Sequence, residues 1–200
     1  MMLGGNSSDF RLLEKLNIYD QYGVKSISSA RSAGGQFGPL VSMKLGTPVL
    51  RLRFNPNFSF EEKVLNYVFE PLPGKSEDFV NQERVNSANF NFPLLLQFRA
   101  LRLNNFGAYW IAGGKYTWDM QSQKDASQDF IDPFIKLNNH DWQAQLGVGA
   151  EFYFPYFKLG LELKYAHSMV NSLIQDDTFV SEPIDKLYNR LWSFSLIIEG

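Results

Sequence analysis

In residues 142–165, WQAQLGVGAEFYFPYFKLGLELKY, nearly every second position is apolar. Trp142, Ala144, Leu146, Val148, Ala150, Phe152 and Phe154 form one set, and Gln143, Gln145, Gly147, Gly149, Glu151 and Tyr153 form the other. After Pro155-Tyr156 the alternation resumes, with Phe157, Leu159, Leu161, Leu163 and Tyr165 against Lys158, Gly160, Glu162 and Lys164. Successive side chains of a strand point to opposite faces, so the segment reads as two antiparallel strands joined by a tight turn. A ragged first strand lies around Met1–Leu13, and Phe37, Pro39, Val41, Met43 and Leu45 mark the next. Leu50, Leu52, Phe54, Phe58 and Phe60 then alternate with Arg51, Arg53, Asn55, Asn57 and Ser59. Ala88, Phe90, Phe92, Leu94, Leu96 and Phe98 alternate with Asn89, Asn91, Gln97 and Arg99, and FGAYWIAGGKYTW and NRLWSFSLII supply two more. That makes about eight strands, each near the ~9–11 residues that cross a bilayer at a tilt.

The connections alternate in length. Gly46–Pro48, Leu103–Asn105 and Pro155-Tyr156 are tight, whereas 14–34, 71–86, 119–140 and 171–187 read as long, polar and charged loops. Within the last, SEPIDKLYNR has the composition for a helical turn. Pro56 and Pro93 each remove a ladder donor, and bulges are expected there.

Composition decides which side the apolar face takes. The 200 residues are 44% hydrophobic, 16% aromatic and 20% charged, with 18 Phe and a net charge of −2. No run of about 18 apolar residues exists, so no membrane-spanning helix is expected. A transmembrane barrel hides its apolar residues at alternate positions, so that absence leaves a barrel open. No basic stripe suggests nucleic acid. The absence of cysteine excludes disulfides and thiolate metal sites. Aromatics then settle the orientation. Tyr116, Trp118, Trp142, Tyr165 and Trp192 lie at the long-loop ends of strands, and Phe98, Phe106, Phe154, Tyr156 and Phe157 at the short-turn ends. Two such girdles suit two membrane interfaces, and a soluble sandwich core has no use for them. The fold class read here is all-β: a closed antiparallel up-and-down transmembrane β-barrel, one outer-membrane domain over residues 1–200. Short turns lie on the periplasmic side and long loops outside the cell. The opening MMLGGNSSDF already reads as strand and loop, so a leader and the start of the first strand are expected upstream.

With the apolar face in lipid, the polar face is the lumen. It holds Lys44, Arg51, Arg53, Gln97, Arg99, Lys115, Gln143, Glu151, Glu162 and Lys164. An eight-stranded barrel is only wide enough for its own side chains. Charges buried at that density must be paired, so these residues are expected to form an ionic plug. A selective pore would need more strands. His140-Asp141 and His167-Ser168 near the long-loop rim are the candidates for rim hydrolase or acyltransferase chemistry. Two histidines readily gain such neighbours by chance, and the chain reads as non-enzymatic. Asp119, Asp125, Asp129, Asp132 and Asp141 lack the spacing and glycine of a calcium loop and read as a solvated acidic loop. No metal, cofactor or small-molecule substrate is expected.

Three segments carry a family resemblance: PVLRLRFNPNFSFEEKVLNY, NFPLLLQFRALRLNNFGAYWIAGGKYTWD and GAEFYFPYFKLGLELKYAHSMVNSL. They resemble the PorT family of Bacteroidota outer-membrane proteins, through the NFPLLL strand entry, the NN turn followed by GGKY, and the EFYFPYFKL hairpin. The likeness runs along nearly the whole chain. It implies a small outer-membrane barrel required by the type IX protein secretion system, which in some bacteria also serves gliding motility. The family supplies no catalytic residues to carry over. The expected role is an accessory or assembly component, with outer-membrane lipid and other secretion-system proteins as partners. A surface adhesion or ligand-binding barrel, with function in its loops, is the alternative.

Overall fold

The computed structural model describes residues 1–15, 24–69, 79–100, 102–121, 136–175 and 182–200. Among them are ten strands and no helix: β1 (Met2–Glu14), β2 (Val24–Gly38), β3 (Val41–Lys44), β4 (Leu50–Phe54), β5 (Asn57–Phe69), β6 (Phe79–Arg99), β7 (Phe106–Asp119), β8 (His140–Tyr153), β9 (Lys158–Ser168) and β10 (Ile184–Glu199). Eight of them, β1-β2-β5-β6-β7-β8-β9-β10, form an antiparallel ring that β1–β10 pairing closes, and β3–β4 lies against β6.

Two prolines, Pro39 and Pro56, turn the expected eight strands into ten. The β2–β5 ladder reaches Phe37↔Phe58, and the β3–β4 ladder resumes in the same register at Val41↔Phe54, which places Pro39 across from Pro56. Against β6 the same continuity holds, from Phe54↔Leu94 to Asn57↔Asn91. So β2–β3 and β4–β5 are each one strand interrupted at a proline. The bulges expected at Pro56 and Pro93 are absent. Pro93 pairs with Lys115 in register, and its carbonyl accepts the Asn55 amide at 3.4 Å. The Asn55 carbonyl, which Pro93 cannot serve, takes the Asn57 side-chain amide at 2.9 Å instead. A side chain thus replaces the missing ladder donor, and no extra residue is needed. The irregularities fall at Val24/Ser26, Arg31/Gly35 and Leu13/Glu14.

The strands also run further than alternation indicated. Residues 24–34, 79–86 and 184–187 belong to β2, β6 and β10, not to loops, and the residues from Ile184 onward are extended, not helical. The reason is visible along β5. Low in the barrel Phe60 faces out while Asn57, Ser59, Glu61 and Lys63 are buried inside. Two steps higher the inward residues become Leu65 and Tyr67. They join Phe10, Ile27, Leu137, Leu173, Ile184 and Leu187 in one apolar cluster, while Ser26, Ser28, Gln82 and Arg84 are exposed on the wall around it. Above the lipid band the outer wall meets water, so the polarity of the two faces inverts. The segments after β7 and β9 cover this cluster by pairing Leu137 with Leu173, with Asn138 N donating to Ser172 O at 2.8 Å.

Tight turns close the other end. Gly46 (φ 68°) and Asn104 (φ 51°) take the left-handed conformation that glycine and asparagine tolerate best. On the wall between the two ends, Leu94, Trp110, Leu146, Val148, Leu163 and Phe194 are exposed while ionic side chains are buried inside. Lipid is the solvent that suits this distribution. At mid-strand Leu163 is 46% exposed, and Leu163→Arg places a charge in the bilayer centre. It is expected to cost ~2–4 kcal/mol in urea titrations of liposome-folded protein. A neutral result would place this wall outside the hydrocarbon.

Candidate functional site

The interior below the apolar cluster is a stack of ion-paired layers. Inward positions on neighbouring strands recur every second residue, which sets carboxylates and cations side by side. In the middle layer Glu162 of β9, 1% exposed, binds the guanidinium of Arg53 from β4. It also accepts the Tyr109 hydroxyl at 2.6 Å and meets Lys164 Nζ at 3.2 Å. The Arg53 guanidinium lies 5.6 Å from the Tyr109 ring centre. Gly149 makes room for that ring: a Cβ there would lie 2.3 Å from it. This explains one of the glycines on the polar face. A side chain at 149 would displace the tyrosine that holds Glu162.

Towards the short turns Glu151 is the hub. Arg99 reaches it at 2.5 Å, Tyr153 donates its hydroxyl at 2.6 Å, Gln97 donates at 3.2 Å and Lys158 sits at 3.3 Å. Lys158 also pairs with Glu199 of β10 at 2.5 Å. Towards the long loops Lys63 and Glu61 pair at 3.2 Å along β5. Asp141 accepts hydrogen bonds from Ser168 (2.5 Å), Gln143 (2.7 Å) and Asn189 (2.8 Å). Lys115, 2% exposed, lies between the two carboxylate layers. Two cavities between layers, among the described residues, hold about 10 and 20 Å³, room for single waters.

Of the ten residues read as luminal, Arg53, Gln97, Lys115, Gln143, Glu151, Glu162 and Lys164 are buried here, and Arg51 and Arg99 line the short-turn mouth half-buried. Lys44 is not in the lumen. It is exposed on β3, which pairs with β4 alone. Glu61, Lys63, Tyr109, Lys158 and Glu199 complete the layers without having been read as luminal, and Asp141, read as a rim and acidic-loop residue, joins them inside. For Glu61 and Lys63 the signal is the odd-numbered parity of Asn57 and Ser59, obscured where Glu62 replaces phenylalanine on the outer face.

The aromatic residues occupy the two ends of the outer wall. Tyr116 packs on Trp142 at 5.0 Å and Tyr165 on Trp192 at 4.8 Å, with Trp118 exposed beside them. At the other end Phe106 meets Phe152 at 5.5 Å, and Phe154 stacks on Phe157 at 4.8 Å. Phe98 stacks on Trp110 at 4.1 Å, and Tyr156, 93% exposed, tips its turn. The girdle reading omitted Trp110.

The rim chemistry has no geometry. Neighbouring residues of a strand point to opposite faces, so Asp141 and Ser168 are buried inside. His140 lies outside against Tyr116 at 5.9 Å, and His167 against Tyr165 and Tyr188. The Ser168–Asp141 hydrogen bond has no base between its members. Asp125, Asp129 and Asp132 fall outside the described residues. Asp119 caps the Gln121 amide at 2.9 Å, and the described residues contain no His/Cys/Asp/Glu grouping suited to a metal.

Glu162→Gln leaves Arg53 and Lys164 buried beside a neutral amide. The expected loss is ~3–5 kcal/mol by urea titration, the range for breaking a buried pair. Tyr109→Phe removes one hydrogen bond to the same carboxylate and is expected to cost less, ~1.5–3 kcal/mol. A near-neutral Glu162→Gln would mean that the carboxylate does not hold the layer together.

A family described as "Outer membrane protein beta-barrel domain" matches residues 2–173. A comparison with curated proteins found no match. Among solved structures, the crystal structure of the outer membrane protein OprG from Pseudomonas aeruginosa is similar at 14% identity, with 98% of this chain and 92% of that chain covered. Its TM-score is 0.42, and nothing about this chain rests on that likeness. The match over most of the chain agrees with a closed ring that is apolar outside and ionic within, so the chain belongs to the outer membrane protein beta-barrel domain family and resides in the bacterial outer membrane.

Proposed function

We propose that this protein is a non-enzymatic, non-conducting barrel that serves as an accessory or assembly component of the type IX protein secretion system, and of gliding motility where the two are coupled. The observation that carries the first half is the lumen. Glu162 and Glu61 are bound by buried cations and Glu151 by half-buried ones, and the two gaps seen between layers among the described residues admit single waters. A barrel filled this way offers no conduit for a folded cargo or a solute, so its contribution comes from its surfaces. The separation of His167 from Ser168 by the barrel wall supports the non-enzymatic reading. The secretion half is supported by the PorT-like segments from Pro48 to Leu173. On this reading the partners are membrane lipid and other membrane proteins of the system, met through the loops or the periplasmic turns. One observation favours adhesion or ligand binding as a second reading: β2 and β6 rise beyond the lipid band exposing Ser26, Ser28, Gln82 and Arg84, and with β5 they enclose an apolar core.

Secretion assays separate the two. In a strain lacking this gene, type IX cargo is expected to accumulate inside the cell and to be released again on complementation. Normal cargo export with altered surface binding would overturn the secretion reading. In planar bilayers the purified barrel is expected to give no uniform unitary conductance steps. Reproducible steps well above leak would show that the ionic layers open.

A further inference from the structure

We infer that the short-turn rim carries a seat for one anionic glycerophospholipid of the periplasmic leaflet, with its phosphate on the luminal mouth and an acyl chain on the outer wall. Two cavities meet there. One, of about 320 Å³, opens at the mouth and is lined by Arg51, Arg99, Arg102, Lys158 and Tyr153. The other, of about 570 Å³, is a groove on the outer wall. Ala100 and Ala108 leave its floor low, and Phe98, Trp110 and Val148 wall it. Val49, Arg99 and Ala100 line both, so the cationic mouth and the apolar groove are continuous.

The charges at the mouth do not balance. Glu151 and Glu199 neutralise Arg99 and Lys158. Among the described residues no carboxylate pairs with Arg51 or Arg102. The Arg51 Nε is buried and has no hydrogen-bond partner. Arg102 lies 3.9 Å from the Tyr153 ring centre, held by the Asn104 carbonyl at 2.5 Å. Lys44 sits directly opposite Arg51 in the β3–β4 ladder. Like charges directly opposite each other destabilise a strand pair. A buried donor left unsatisfied is costly as well. A phosphate addresses both, since guanidinium forks bind its oxygens two at a time. A ligand carrying both a phosphate and a long apolar tail fits the joined cavities, and the surrounding leaflet supplies it.

Trp110 makes the seat observable. The other three tryptophans, Trp118, Trp142 and Trp192, lie at the long-loop end, so replacing them with Phe leaves a reporter in the groove. This barrel is folded into phosphatidylcholine liposomes containing equal mole fractions of either dibrominated phosphatidylglycerol or dibrominated phosphatidylcholine. Trp110 is expected to be quenched preferentially by the anionic lipid, by about fivefold in relative affinity for each guanidinium engaged. Arg51→Gln with Arg102→Gln is expected to abolish the preference, and Arg51→Lys with Arg102→Lys to keep most of it, with folding checked by heat-modifiable gel mobility. Equal quenching by the two lipids overturns the proposal and leaves the cations to an acidic peptide. A preference that survives the glutamine pair also overturns it. If the glutamine pair fails to fold, the comparison of the two lipids on the parent barrel still decides.

Discussion

Hydrocarbon offers no hydrogen bonds, so a strand that enters it must find both of its neighbours within the protein. Ring closure answers this constraint. β6 pairs with β7 along its lower half and with β5 and β4 in succession on its other edge, and β1 meets β10 along almost its whole length. The three prolines show how strictly the constraint is met. They cluster where β2–β3, β4–β5 and β6 lie side by side, and the carbonyl that Pro93 leaves without a donor receives one from the Asn57 side chain. The interior obeys the same rule with charges. Glu162 and Glu151 are tolerated because cations and tyrosine hydroxyls surround them.

The ring itself was legible in the sequence wherever its wall faces lipid. From Trp142 to Tyr165 the apolar set faces out and the polar set in, and both strands lie where alternation puts them. Legibility fails where the outside solvent changes. Residues 24–34 and 79–86 are strands that expose Ser26, Ser28, Gln82 and Arg84 outside, while Ile27 lies in the apolar cluster and Val85 packs against it. A search for outward apolar residues passes over them. Periodicity was still informative there, since Leu65 and Tyr67 continue the parity of Glu61 and Lys63. What inverted was the identity of the residues on each face, not their spacing. Lys44 failed for a different reason: its parity is inward, but β3 has no neighbour beyond it to bury what it carries.

The same two-residue period disposes of the rim catalysts. His167 next to Ser168 suggests a base beside a nucleophile only if adjacency in sequence means adjacency in space. In a strand it means opposite sides of a wall. The serine and aspartate that do meet inside belong to the packing of β8 against β9 and β10. Distributed over three layers, the interior chemistry is spent on holding the ring.

The seam between β1 and β10 joins the two extremes of the chain, with Met2 opposite Ile197 and the Gln36 amide reaching across β1 to Ser195 at 3.1 Å. No local hairpin can stand in for it, so closure waits until β10 has been synthesised and delivered. Topologies dominated by such distant pairings fold slowly. Until then β1 presents an unpaired edge, and the phenylalanines of β5 and β6 have no lipid to cover them. Exposed edges and apolar faces of that kind invite aggregation. The finished barrel is closed by its own β1–β10 ladder, whereas the unfinished one keeps a bare edge and an uncovered apolar face until those two strands meet.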